Sequence, residues 1–150
     1  APSSGVSLRA VILIIAGRAG LGILFALAFS MVGVGAGVFV YVASGAVSKT
    51  TLEAMLFIGA GLGAGLGASL AWLQLEGNAR SILILTTLVA LLMGVGGAWA
   101  GYEYGANREI ECCATSEVGT FSYAAFGATF AANAAVLFLG IAREIITRTR

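Results

Sequence analysis

A helix rises 1.5 Å per residue, so about 20 mostly apolar residues cross the hydrocarbon of a bilayer. Four stretches of this chain reach that length with few interruptions: 21–43, 52–75, 81–102 and 121–142. Between them lie short polar connections, "SGAVSKTT", "EGNARS" and "EYGANREIECCATSEVGT". Short connections make consecutive helices antiparallel neighbours. The pattern therefore predicts an all-α integral membrane protein, a bundle of four transmembrane helices in one domain covering 1–150.

The segment before the first span, "SLRAVILIIAGRAG", sets Arg9 and Arg18 on either side of a short apolar run. One helix over 7–43 would be about 55 Å long, more than the hydrocarbon needs. The expectation is a short N-terminal interfacial helix that turns into the membrane near Gly17, Gly20 and Gly22. The alternative is one long tilted helix that protrudes on one side. The polar start, "APSSGVSLRA", fits either removal of an initiator Met or processing.

The second span contains "IGAGLGAGLGASLAW", with glycine at every second position from Gly59 to Gly67. Alternation suggests a strand, but a lone strand in lipid leaves its backbone unbonded, so a helix is expected. On a wheel at about 100° per residue, Gly59, Gly63 and Gly67 fall at about 0–80°. Ala60, Ala64 and Ala68 follow at about 100–180°, and Gly61 and Gly65 at about 200–240°. Leu62 and Leu66 form a single ridge near 300–340°. Most of the circumference is smooth. Small residues let helix backbones approach in lipid, through dispersion and weak Cα–H···O contacts. The second helix should thus be packed on at least two sides. Gly33 and Gly37 give the first helix a GxxxG pair, and Gly97, Gly101 and Gly105 repeat the spacing at the end of the third. The fourth helix is alanine-rich, "AAFGATFAANAA".

Composition agrees with this picture. Of 150 residues, 59% are hydrophobic, 10% are charged and the mean hydropathy is +1.00. A soluble domain of this size could not cover so much apolar surface. The net charge of +1 implies neither nucleic acid nor an acidic partner. There is no histidine and no aspartate. Histidine-ligated haem or chlorophyll, a His-containing zinc site and a Ser-His-Asp triad therefore cannot be built from this chain alone.

Charge at the span ends sets orientation. Arg9, Arg18, Arg80, Arg143, Arg148 and Arg150 gather on one side, against Lys49 and Arg108 on the other. Both termini should be cytoplasmic, with the 103–119 loop outside. Tyr41, Trp72, Trp99, Tyr102, Tyr104 and Tyr123 lie near span ends, as interfacial anchors do.

No ionisable residue stands near the middle of a span. Glu53, Glu103 and Glu144 lie at ends, where carboxylates are commonly solvated. The buried polar set is Ser30, Ser69, Thr86, Thr87, Thr129 and Asn133. Asn133, with Thr129 one turn before it, is expected to make an interhelical hydrogen bond, the alternative being a ligand or pigment contact, and the Thr86 and Thr87 hydroxyls can return to carbonyls of their own helix. Cys112 and Cys113 are adjacent, closer than the usual disulfide Cα separation of about 5.5 Å. In an oxidising compartment they would reach another chain, or serve as a redox pair. No metal site is expected.

Two likenesses stop short of function. The glycine alternation followed by "LEGNAR" resembles the first hairpin of rotary ATPase ring subunits, but "SILILTTLVALLMGVGGAWAG" lacks their mid-helix carboxylate. Four spans with "CC" in the last loop resemble tetraspanins, but this loop is far too short and Ala114 replaces their glycine.

The leading functional expectation is a non-catalytic structural or accessory subunit. It would pack against other copies of itself or other membrane proteins, with membrane lipid around it. The alternatives are a small facilitator for an uncharged solute and a thiol-redox protein using Cys112 and Cys113. No cofactor is expected, although a lipid or pigment would suit glycine-lined surfaces.

Overall fold

The computed structural model describes residues 8–73, 80–107 and 116–148. Everything regular in it is α-helix: α1 (Leu8–Ala43), α2 (Lys49–Leu73), α3 (Arg80–Ala106) and α4 (Ser116–Arg148). Each contains a stretch long and apolar enough to cross a membrane: Ile15–Ala43, Lys49–Ala71, Ser81–Ala106 and Phe121–Ala142.

The expected turn at the start of the chain is not there. α1 runs for 36 residues without a break through Gly17, Gly20 and Gly22. Glycine permits a break but does not impose one, and an unbroken helix keeps every backbone group bonded. α1 ends at Ala43, two residues before Gly45, whose φ of 65° is the left-handed conformation that closes many helices. The Ser44 and Gly45 amides donate to the carbonyls of Val40 and Val42, satisfying the last turn. At the other end of this link, the Ser48 carbonyl accepts the first helical bond of α2, from the Leu52 amide. α3 closes with Asn107, whose amide and side-chain Nδ2 both donate to the Glu103 carbonyl.

α2 packs against α1 on one side and α3 on another, and it also touches α4. α4 lies against α3 and returns to α1, while α1 and α3 do not meet among the described residues. The cross-section is thus a rhombus with α2 and α4 across its short diagonal.

The core is built of small side chains. Ala26, Ala60, Ala64, Ala68, Ala90, Ala98, Ala128 and Ala132 are fully buried and form one cluster with Val136. The large apolar residues point outward instead, among them Met31, Phe39, Leu92 and Phe138, each more than 70% exposed. Water would not tolerate this arrangement, because it leaves the hydrophobic payload unburied. Lipid does, because burying a leucine between helices gains little over leaving it in acyl chains. Close approach of backbones then carries the association.

Candidate functional site

The features that distinguish this chain are its helix seams and the few polar groups between them. The α1–α2 seam is lined by Gly33 and Gly37 on α1 and Gly59, Gly63 and Gly67 on α2. A methyl group added at Gly33 would overlap the Gly59 carbonyl, and one at Gly59 would overlap the Gly33 carbonyl. Methyl groups at Gly63 and Gly67 would strike the backbone of Phe29–Ser30 and Phe25–Ala26, and one at Gly37 the backbone of Met55.

The opposite glycine face of α2 meets α3. Gly61 lies on the backbone of Gly94 and Val95, and Gly65 on that of Ala90 and Leu91. Between these two faces Ala60, Ala64 and Ala68 are buried in the bundle. The leucine ridge faces outward, with Leu62 and Leu66 about two-fifths exposed. Every smooth face of α2 is therefore occupied by helices of its own chain.

The third seam joins α3 to α4. Gly97 packs on Gly127 and the Ala131 side chain, and Gly101 on the backbone of Tyr123 and Ala124. Gly105 lies under the Tyr123 ring, which would have to move for a methyl group. Two seam residues escape a search for GxxxG. Gly94 has Ala90 and Ala98 one turn away, and Gly127 has Ala131, so a small-xxx-small pattern finds both. Gly17, Gly20, Gly35 and Gly96 have open space around them instead.

The polar groups separate into two sets. Ser69 is buried and donates to the Gly65 carbonyl of its own helix at 2.7 Å. Thr86 and Thr87 are half-buried on α3. Asn133 Nδ2 donates to the Thr129 carbonyl, 2.8 Å away on the same helix, where a bond to another helix was expected. Ser30 Oγ, Thr129 Oγ1 and Asn133 Oδ1 are buried with no hydrogen-bond partner.

The second set gathers at the bundle end where α2 begins. Tyr102 donates its hydroxyl to Glu53 Oε1 at 3.1 Å, and Lys49 Nζ stands 3.9 Å from the same oxygen. The Tyr102 ring meets Phe57 edge-on at 4.6 Å between centroids and Phe121 at 5.9 Å. Tyr104 and Tyr123 form a second edge-on pair beside it. Glu53, placed by sequence at a span end, is thus fixed by an aromatic cap from three helices. Glu103 and Tyr104 are exposed. Cys112 and Cys113 lie outside the described residues, and no group of three potential metal ligands occurs among the described ones. No protein-family model, curated protein or solved structure matches this chain.

Proposed function

We propose that the protein is a multi-pass membrane subunit of structural role, packed against further copies of itself or other membrane helices, with both termini cytoplasmic. The observation that carries this reading is the pair of outward glycines Gly35 and Gly96. Both stand within a span, on α1 and α3, and neither has any atom within 4 Å of an added methyl group. Glycine inside a helix costs about 1 kcal/mol relative to alanine. At the inner seams close approach offsets that cost, but nothing among the described residues does so at Gly35 or Gly96. A neighbouring helix from outside would.

The surplus small surface is not where α2 suggested it. The glycine faces of α2 are used internally, and the unpartnered positions belong to α1 and α3, the two helices that do not touch. Tracing register through Gly33–Gly59 and Gly61–Val95 puts Gly35 and Gly96 within about 5 Å of one depth. A ring of copies, with α1 of one against α3 of the next, would meet both.

The test is native mass after extraction in gentle detergent, for wild type and for Gly35→Leu with Gly96→Leu. An oligomer or complex that the double variant breaks is the expected result. A lone monomer at every detergent strength would overturn the reading.

A further inference from the structure

Gly35 and Gly96 are single notches in otherwise bulky surfaces. One turn below and above Gly35 on α1 stand Met31 and Phe39, 76% and 73% exposed. On α3, Leu92 and Trp99 flank Gly96, 73% and 59% exposed. An added methyl group would meet nothing at either glycine. Helices that approach glycine to glycine use small residues on successive turns, as the inner seams do. Two lone notches set face to face would instead enclose a void and forfeit contacts. A notch between large residues fits a large side chain from a neighbour, as a hole fits a knob.

Depth decides which side chain that is. Along the α1–α2 seam Gly33 lies on Gly59 and Gly67 on Phe25–Ala26, so the two helices keep step. Along the α2–α3 seam Gly61 lies on Gly94–Val95 and Gly65 on Ala90–Leu91, again in step. Carrying the register through both seams puts Gly35 level with Trp99, and Val32 level with Gly96. Within one chain these pairs stay apart, because α1 and α3 do not meet among the described residues. Copies related by rotation about the membrane normal keep every residue at its own depth. α1 of one copy and α3 of the next then run parallel, with each notch level with a knob. On wheels centred on the two glycines, Val32 lies about 60° to one side on α1 and Trp99 about 60° to the other side on α3. For parallel helices in contact, those opposite offsets fall on the same flank. Going outward along that flank, Val32, Trp99 and Phe39 follow one another and interdigitate.

We propose that copies of this chain join head to tail, α1 of one against α3 of the next, with Trp99 seated over Gly35 and Val32 over Gly96. The inference rests on the reading of the protein as a self-assembling subunit and gives that assembly its register. Every copy carries both halves of the contact, so the contact is heterologous. It continues past a dimer, into a ring where the rotation closes and a row where it does not.

The test is disulfide trapping in native membranes, using full chains that carry Cys112→Ser and Cys113→Ser. Two level pairs are made, Val32→Cys with Gly96→Cys and Gly35→Cys with Trp99→Cys. With a membrane-permeant oxidant each should give a ladder of dimers, trimers and larger species, since a disulfide needs Cα atoms within about 7 Å. Gly35→Cys with Leu92→Cys uses the same two faces but sets the cysteines about 10 Å apart in depth, and should stay monomeric on the gel. An equal ladder from the Leu92 pair would overturn the register, and dimers from Gly35→Cys alone would overturn the head-to-tail contact. Native mass of the cysteine-free parent separates the two levels of failure. An oligomeric parent with no ladder from either level pair removes this contact and leaves the subunit reading standing. A parent that is a lone monomer at every detergent strength removes both.

Discussion

At Gly63 the Phe29 carbonyl and the Ser30 Cα stand where a methyl group would have to go. Both are backbone atoms, so no side chain can swing aside. Gly63→Ala should lower bundle stability by about 1–3 kcal/mol, as overpacking does. Gly35→Ala adds the same methyl group into open space and should change the isolated bundle by less than about 1 kcal/mol, towards greater stability. Unfolding by denaturing detergent in mixed micelles separates the two. Equal losses would mean that the inner seams do not set stability. The spacing of glycines makes a close helix contact legible, but not which neighbour fills it. Gly33 and Gly35 are both mid-helix glycines of α1, and only the rotation of that helix against α2 makes one a contact and the other a surface. Gly127, set in an alanine-rich stretch, carries no GxxxG signal for a related reason. Its role appears only when Gly97 is brought opposite.

Each helix was visible from hydropathy because length and apolar content alone decide whether a segment can cross lipid. The long α1 was not settled that way. Gly17, Gly20 and Gly22 make a turn affordable, whereas backbone bonding decides against it. The aromatic cap shows a different limit. Glu53, Tyr102 and Phe121 sit on three helices, and their meeting follows from the register of two seams that no local pattern contains. Here the structure makes a contrast that can be measured. Tyr102→Phe keeps the ring contacts with Phe57 and Phe121 and removes the hydroxyl donated to Glu53, for an expected loss of about 1 kcal/mol. Lys49→Met, which removes a largely exposed ion pair at 3.9 Å, should cost no more than a few tenths of a kcal/mol. Thermal unfolding of the two variants side by side checks the ordering, and a larger effect at Lys49 would contradict it.

For the molecule as a whole, the arginine bias makes a definite statement about sidedness. Val47 lies in the α1–α2 link and is 96% exposed. In a Cys112→Ser, Cys113→Ser background, Val47→Cys should react with a membrane-impermeant maleimide added outside intact cells. Protection there, with labelling only after lysis, would reverse the topology. Depth across the bundle is consistent from helix to helix, since Gly33–Gly59, Gly61–Val95 and Gly97–Gly127 fall on one level. That common level needs all four helices and was beyond the reach of any single span.

The seams between successive helices bear on how the protein is made. Every close glycine contact among the described residues joins α1 to α2, α2 to α3 or α3 to α4. A ribosome delivers the helices in that same order. The first hairpin can lock its backbones together before residue 80 has been synthesised, and each later helix finds its partner already waiting in the bilayer. Only the contacts that α4 makes with α3, α2 and α1 must await the last helix. A nascent chain stalled after α2 should therefore already resist extraction as a hairpin, and a Gly63→Ala chain stalled at the same point should not.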